Sequence, residues 1–324
     1  MNTLSLPVAV IGAGPIGLAA AAHLIAKGET PIVFEAGEAV GTNIRAWGHV
    51  PLFSPWRELV DTASRTLLEA SGWIAPDPAS LPTGRELVER YLEPLAALPA
   101  IAERVVLRTR VVAVTRQGMD KMKDAGRAEA PFVVHFETDG DTAGFVRAKA
   151  IIDASGTYAS PNPLGASGIP APGEKALADR IFYGIPNVLT MHRPRYAGRR
   201  VLVVGSGHSA FNALLDLATL KAEEPGTEIL WAVRRAELRQ LFGGEADDAL
   251  PARGLLGTRL HALVRSETVR MVTSFKVAGL RERSDGIAVT NEDGESLPAV
   301  DQIIATTGFR PDLSFLHELR LGLD

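Results

Sequence analysis

The sequence predicts an α/β protein made of two similar domains, with the second inserted into the first. A short apolar strand followed by a glycine-rich turn and a helix occurs twice, at residues 8–24 and 199–212. Alternating apolar and polar residues at 104–152 and 269–305 indicate a small β-meander in each half. Gly, Pro and Ser are frequent at 155–174, where the connection between the domains begins.

Composition narrows the classes of function. The chain has 324 residues, which suits two domains, and 46% of them are hydrophobic. The net charge of -4 and a pI near 6.0 do not indicate nucleic acid or an anionic membrane as partner. No apolar run reaches the roughly 18 residues of a membrane span, and no signal peptide pattern is present. We therefore expect a cytoplasmic protein with a small-molecule substrate, without nucleic-acid or membrane partners.

The chain contains no cysteine. Structural disulfides, thiolate metal sites and cysteine nucleophiles are therefore excluded for these residues. No metal site is expected from the remaining sequence, because the spacing of its acidic residues alone does not indicate one.

The first glycine turn has the pattern G-x-G-x-x-G, formed by Gly12, Gly14 and Gly17 after the apolar strand 8–11. In this pattern the first glycine permits a tight turn, and the second lets the backbone approach a pyrophosphate. The third glycine allows the helix to pack closely on the strand. The helix predicted over 15–27 would point its N-terminal amides and dipole at the phosphates.

An acidic residue completes this first unit. The next strand, 31–34, ends in Glu35, which is 18 residues after Gly17. That is close to the spacing of about 20 residues expected for the acid that accepts hydrogen bonds from ribose hydroxyls. The first unit therefore suits FAD.

The second unit has the pattern G-x-G-x-x-A, with Gly205, Gly207 and Ala210 between the strand 200–204 and a helix predicted over 209–221. The following strand, predicted over 228–233, ends in two basic residues, Arg234 and Arg235. Arginine pairs with a 2′-phosphate in a forked geometry, whereas a carboxylate would repel it. The second unit therefore predicts an NADPH site, unless both arginines are solvated surface charges.

Two further segments complete a resemblance to a known family. They read IIDASGTYASPNP at 151–163 and IIATTGFRPDLSFL at 303–316. With the two glycine turns they make the chain resemble the two-dinucleotide-binding-domain flavoproteins, and most of all the flavin-containing monooxygenases. The resemblance covers nearly the whole chain. It implies two Rossmann-like domains, an FAD domain at 1–190 with 306–324 returning to it, and an inserted NADPH domain at 191–305.

The cofactor-binding residues expected on this plan lie in the glycine turns, at strand ends and at the crossovers between domains. They are Gly12, Gly14, Pro15, Gly17, Glu35, Ala36, Thr42, Trp56, Val111, Ser155, Gly156, Gly205, Ser206, Gly207, His208, Ser209, Arg234, Arg235, Thr307 and Gly308.

The resemblance leaves several activities open. Disulfide reductases of this plan need a cysteine pair beside the flavin, so that reaction is excluded here. The favoured expectation is a monooxygenase, in which NADPH reduces the flavin, O2 adds to it and the hydroperoxide attacks a small molecule. The alternative is a reductase or oxidase that passes electrons to a quinone, a protein carrier or O2. A non-catalytic nucleotide-binding redox sensor is the third possibility.

The monooxygenase expectation rests on half a motif. Flavin-containing monooxygenases carry F-x-G-x-x-x-H-x-x-x-[FY] before the second glycine turn. His192 and Tyr196 match the last two anchors, while Pro186 and Val188 occupy the first two. A surface or linker histidine is the alternative interpretation of His192.

No catalytic residue is determined by sequence alone, but His49, Trp56 and His192 are candidates. The segment 45–59 is rich in aromatic residues, and Trp56 is its best candidate for a wall against the flavin ring. The alternative is a hydrophobic clamp around a loop.

The C-terminal end carries one more expectation. Flavoproteins of this plan return to the FAD domain with a G-D element and a last helix, whereas this sequence stops 16 residues after Gly308. A truncated chain would bind FAD weakly and leave an apolar face open, which a second copy could cover in a homodimer.

Overall fold

The computed structural model describes residues 6–139, 142–236 and 250–323, with only the backbone of Thr142. The chain divides into unit 1, Met1–Ala159 with Pro311–Asp324, and unit 2, Ser160–Arg310. Unit 2 is thus inserted into the sequence of unit 1. Its boundaries differ from those predicted, because residues Ile181–Tyr183 form a strand in the sheet of unit 2.

The centre of unit 1 is a parallel sheet. Its described strands are β1 (Val8–Ile11), β2 (Pro31–Phe34), β3 (Val105–Val106) and β7 (Ala150–Asp153). Their order in the sheet is β3-β2-β1-β7, and Ile11 at the end of β1 lies opposite Phe34 and Asp153. Because β1 is buried along its whole length, its sequence is continuously apolar rather than alternating.

Helices cover one face of this sheet. The core there includes the fully buried side chains of Leu18, Tyr91 and Leu92. The helices are α1 (Pro15–Ala26), α2 (Thr42–Ala46), α3 (Thr62–Ala70), α4 (Gly84–Leu87), α5 (Glu93–Ala96) and α6 (Pro99–Ala102), with a 3-10 turn at Trp56–Glu58 and a π-helical turn at Val88–Leu92. α4 begins with a capping box, in which Thr83 and Glu86 satisfy each other's backbone amides.

An antiparallel meander covers the other face. It consists of β4 (Thr109–Arg116), β5 (Phe132–Thr138) and β6 (Thr142–Ala148). The meander is shorter than the predicted 104–152, because β3 and β7 pair in parallel with the central sheet. Leu316, in a 3-10 turn at Ser314–Leu316, is buried in the same cluster as β4.

Unit 2 repeats the parallel sheet. Its described strands are β8 (Ile181–Tyr183), β9 (Arg200–Val204), β10 (Glu228–Ala232), β11 (Arg270–Val272) and β14 (Gln302–Ala305). Their order in the sheet is β11-β10-β9-β14-β8. The predicted second meander is a hairpin of β12 (Val277–Arg283) and β13 (Gly286–Asn291), since β11 and β14 belong to the parallel sheet.

The helices of unit 2 bury apolar residues against this sheet. They are α7 (Arg193–Tyr196), α8 (His208–Glu223) and α9 (Pro251–Arg265), with a 3-10 segment at Lys175–Arg180. The fully buried residues of α8 include Ala210, Leu214 and Leu217, which recur at the helical period of three to four residues. Among the helices of the described ranges, none combines the length and apolarity that crossing a membrane requires.

Candidate dinucleotide sites

The turn between β1 and α1 needs glycine for steric reasons. Gly12 has φ of 101°, and a β-carbon added to it would lie 2.5 Å from the carbonyl oxygen of Ala154. A β-carbon on Gly17 would lie 1.8 Å from the carbonyl oxygen of Gly12. A β-carbon on Gly14 would meet nothing within 4 Å, so this position faces open space. The first and third glycines therefore serve the fold, and the second leaves room for a ligand.

The N-terminus of α1 is suited to an anion. Gly14 is the N-cap residue and Pro15 occupies the first turn, with no side-chain cap and no acidic residue there. Helix N-termini expose backbone N–H groups and a partial positive charge, which side chains usually satisfy. Here this end of the helix is available to a phosphate.

Glu35 lies directly beside this turn. Its carboxylate accepts one hydrogen bond from the Ala13 amide at 2.8 Å and another from the Gly37 amide at 2.8 Å. The two backbone amides thus hold the carboxylate at the carboxyl end of β2. This is the place from which an acid would reach the ribose of a dinucleotide bound on the turn.

Ala36 and Thr42 lie in the segment that follows. Ala36 is exposed, and the Thr42 hydroxyl donates to the Ala39 carbonyl at 2.6 Å. This segment folds back on the glycine turn, since the Gly41 amide donates to the Ala13 carbonyl at 3.0 Å. The Ala13 backbone in the turn is therefore held by Glu35 through its amide and by Gly41 through its carbonyl.

β7 ends in Asp153, a polar residue that the sequence analysis did not single out. Ser155 donates to Asp153 through both its amide (3.0 Å) and its hydroxyl (2.6 Å), so the Ser155 side chain already has a partner. Gly156 follows with φ of 74°. Asp153 stands opposite Ile11, so its position at the strand end in the sequence IIDASG was the available signal.

Two of the predicted flavin contacts, Trp56 and Val111, are buried in hydrophobic cores. Trp56 is only 3% exposed and lies in the helical core of unit 1, with the Arg90 guanidinium 5.9 Å from its ring centre. Trp56 packs in a hydrophobic core, and its contact with a flavin ring stays a prediction. Val111 is also buried, in the cluster between meander and sheet. His49 is half-buried in unit 1.

The turn between β9 and α8 has the same construction. Gly205 has φ of 134°, and a β-carbon there would lie 2.3 Å from the Thr306 carbonyl oxygen. A β-carbon on Gly207 would meet nothing within 4 Å, and Ala210 is fully buried. α8 begins after Gly207 without a side-chain cap or an acidic residue in its first turn. Ser206, His208 and Ser209 are partly exposed around this turn.

The residues at the end of β10 differ from those in unit 1. Arg234 and Arg235 are both exposed, and the Ser274 amide donates to the Arg235 carbonyl at 3.1 Å. The backbone that carries the two guanidinium groups is therefore anchored, while the side chains extend into solvent. Two cations occupy the topological position that Glu35 occupies in unit 1.

Thr307 and Gly308 lie in the return crossover. The Thr307 hydroxyl donates to the Asn162 carbonyl at 2.6 Å, and the Asn162 side-chain amide donates to the Thr307 carbonyl at 3.1 Å. The Asn162 backbone amide donates to the Gly308 carbonyl at 2.9 Å. These contacts tie the outgoing and returning crossovers together, so the Thr307 hydroxyl has a structural partner.

The two residues of the half motif have structural roles in unit 2. His192 Nδ1 accepts a hydrogen bond from the Asn187 amide at 3.1 Å, and its ring packs edge-on against Phe182. Burial, and secondarily the charge of Arg195, lower the pKa of His192. Tyr196 is fully buried, and burial raises its pKa to about 12. The first residue shapes a turn and the second fills the core.

The chain matches the pyridine nucleotide-disulphide oxidoreductase family over residues 9–323. It belongs to that family. It is therefore a two-dinucleotide-binding-domain flavoprotein and a flavin-dependent pyridine-nucleotide oxidoreductase. FAD and NAD(P)H are the cofactors typical of the family, and the two glycine turns with open Gly14 and Gly207 fit them.

Individual relatives differ in activity. The chain is 27% identical to a ferredoxin–NADP reductase of Nocardioides sp., an alignment that covers 100% of this chain and 79% of the relative. A bacillithiol disulfide reductase of Bacillus cereus has a TM-score of 0.70 and 25% identity, covering 98% of this chain and 82% of that one. A flavin monooxygenase of Stenotrophomonas maltophilia has a TM-score of 0.61 and 23% identity, with 96% and 80% covered. The last of these shows the fold alone.

Proposed function

We propose that this chain is an NADPH-dependent flavoprotein reductase that passes electrons to a separate acceptor, a ferredoxin-type protein carrier. The observation that carries the proposal is the contrast between the two strand ends. Glu35 stands beside the first glycine turn, and Arg234 and Arg235 stand after the strand next to the second. A carboxylate suits the ribose of FAD, and two guanidinium groups suit the 2′-phosphate of NADPH.

The acceptor class is supported by the relatives. The Nocardioides relative, which aligns along the whole of this chain, is a ferredoxin–NADP reductase. Bound FAD would supply the step from two-electron hydride acceptance to one-electron transfer. The chain's own residues bind and orient: the two turns receive the pyrophosphates, Glu35 holds the first ribose and the arginines select the second nucleotide.

The monooxygenase expectation has less support. His192 and Tyr196, the two residues that motivated it, serve a turn and a core. The similar solved monooxygenases, such as the Stenotrophomonas maltophilia enzyme, are below 25% identity and show only the fold. We therefore favour the reductase, which was the alternative to the monooxygenase in the sequence analysis.

Anaerobic turnover tests the proposal. A reductase should oxidise NADPH in the absence of O2 when an oxidised ferredoxin is supplied, with cytochrome c as the final reporter. A monooxygenase would stop without O2 and an organic substrate, and a redox sensor would show single turnover only. Turnover that requires O2 and consumes it in step with an organic substrate would refute the reductase assignment.

A matched variant separates the nucleotide site from the acceptor site. Arg234→Ala/Arg235→Ala should lose efficient reduction by NADPH. Its flavin, when reduced by dithionite instead, should still reduce the ferredoxin at the native rate.

A further inference from the structure

The direction of the second dinucleotide follows from the strand order of unit 2. The glycine turn lies at the end of β9, and Arg234 and Arg235 follow β10, its neighbour on one side. If these arginines bind the 2′-phosphate, the adenosine half lies toward β10. The other half, which ends in nicotinamide, must then run the opposite way, across the carboxyl ends of β14 and β8.

Distances along the sheet edge agree with this direction. Neighbouring strands are about 4.8 Å apart, so β8 lies roughly 10 Å from β9 on the far side of β14. Tyr183 ends β8 opposite Ala305, and the Gly184 amide donates to the Ala305 carbonyl at 2.9 Å. Tyr183 is therefore at the carboxyl edge, at the distance that the nicotinamide riboside half of an extended dinucleotide would reach.

The Tyr183 ring is held by a buried carboxylate. Its hydroxyl donates to Glu174 Oε1 at 2.6 Å, while the Leu164 and Ala171 amides donate to the same carboxylate at 2.8 and 2.7 Å. Glu174 is only 2% exposed, so this acceptor is fixed by the protein interior. Burial, and secondarily this bond, raise the pKa of Tyr183, which keeps the phenol protonated as a donor.

The ring itself is only partly covered. Tyr183 packs at the margin of the apolar cluster of unit 2 and retains intermediate exposure. Because its hydroxyl is bonded to the buried Glu174 carboxylate, the part of Tyr183 left for a ligand at the edge of the sheet is its ring. An oriented aromatic surface of this kind packs well against a flat heteroaromatic ligand.

We propose that Tyr183, oriented by Glu174, contacts the nicotinamide half of the second dinucleotide and positions it. This inference rests on the proposed NADPH site. It adds a residue that none of the sequence motifs indicated.

Two ligands test the inference on the full chain with its flavin. NADP+ has both halves, whereas adenosine 2′,5′-bisphosphate has only the adenosine half with its 2′-phosphate. In Tyr183→Ala the Kd for NADP+ should rise about tenfold, which corresponds to a loss of about 1.4 kcal/mol. The Kd for adenosine 2′,5′-bisphosphate should stay within about twofold of the native value, because that half lies on the β10 side.

A second variant guards against misfolding. Tyr183→Phe keeps the ring and removes its bond to Glu174, so a smaller rise of about threefold is expected for NADP+ alone. Thermal unfolding of each variant gives the structural control. Equal weakening of both ligands, or native affinity for NADP+ in Tyr183→Ala, would overturn the inference.

The native protein distinguishes the two levels of proposal. If it binds adenosine 2′,5′-bisphosphate and NADP+ but the Tyr183 variants do not discriminate between them, only the role of Tyr183 fails. If it binds neither ligand, the NADPH site itself is overturned, and the role of Tyr183 with it.

Discussion

The two glycine turns of this protein have nearly the same backbone and opposite charges beside it. In unit 1 the Glu35 carboxylate is fixed by two backbone amides, one of which belongs to the turn itself. In unit 2 the corresponding position carries two exposed arginines on an anchored backbone. On the proposed function, the turn receives a pyrophosphate in each unit, and the end of the next strand selects the nucleotide.

The steric role of the first glycine is also shared. Gly12 packs against Ala154, at the end of β7, and Gly205 packs against Thr306, at the end of β14. In both sheets, the residue that follows the neighbouring strand, β7 or β14, contacts the first glycine of the turn. The second glycine differs from the first because the protein leaves the space around Gly14 and Gly207 open. A substitution can therefore separate the needs of the fold from the needs of the ligand.

The largest effect is expected from removing the contrast in charge. Arg234→Ala/Arg235→Ala should lower the preference for NADPH over NADH by on the order of 100- to 10,000-fold, because charge-assisted bonds to the 2′-phosphate contribute about 1.5–3 kcal/mol each. The ratio of kcat/KM for the two nucleotides measures this. Arg281→Ala/Arg283→Ala, two arginines on β12, is the control and should keep the native ratio. A native protein that uses both nucleotides equally would contradict the assignment.

A slightly smaller effect is expected in unit 1. Glu35→Ala removes the ribose acceptor and should weaken FAD binding by about 1.5–3 kcal/mol. Titration of the flavin-free protein, followed by quenching of flavin fluorescence, gives the affinity. Glu38→Ala is the matched control, since Glu38 is highly exposed and its partner Arg108 is 3.7 Å away. Unchanged affinity in Glu35→Ala would refute its role.

The open glycines should separate the two sites. Gly14→Ala and Gly207→Ala add a methyl group that meets no protein atom within 4 Å, and both backbones have φ values that alanine tolerates. Each variant should keep the native melting temperature and weaken its own nucleotide by about 1–3 kcal/mol through crowding. Gly14→Ala should spare NADP+, and Gly207→Ala should spare FAD. Loss of both ligands in either variant would show that the sites are not independent.

The smallest effect concerns stability within unit 2. Burial raises the pKa of Asp216 from 3.8 to about 6, with a smaller opposing effect of Arg259. Between these two values the folded state holds a proton that the unfolded state releases. The contribution of Asp216 to the free energy of unfolding is therefore fully present below pH 3.8 and is lost as the pH rises through about 6. Asp216→Asn removes the ionisable group and therefore this loss. Compared with the native protein, the free energy of unfolding of the variant should improve by roughly 1–2 kcal/mol more at pH 7 than at pH 4.

Denaturant unfolding at several pH values measures that gain. Asp179→Asn is the control, because Asp179 is highly exposed, with its carboxylate 3.9 Å from the Arg180 guanidinium. If the stability of Asp216→Asn keeps the native dependence on pH, another group is responsible.

Much of the fold was predictable because its signals are local. Strands 31–34 and 200–204, and the start of the first helix at Pro15, agree with the structure to the residue. A glycine turn between an apolar strand and a helix is encoded by neighbouring residues, so its sequence specifies its geometry. The charges of Glu35 and Arg234 could also be assigned to strand ends from the sequence, since the apolar pattern shows where each strand ends.

The partners of each element were decided only by the tertiary structure. Residues 150–153 have the same apolar pattern whether they close a meander or join a parallel sheet, and only the pairing with Val8–Ile11 settles it. An aromatic residue such as Trp56 has the same sequence signature in a core as against a ligand. The bond from Tyr183 to Glu174 joins residues whose relation depends on how a loop folds. Sequence determined which groups each strand end carries, and packing in three dimensions determined which of them meet, because contacts depend on distance in space and not along the chain.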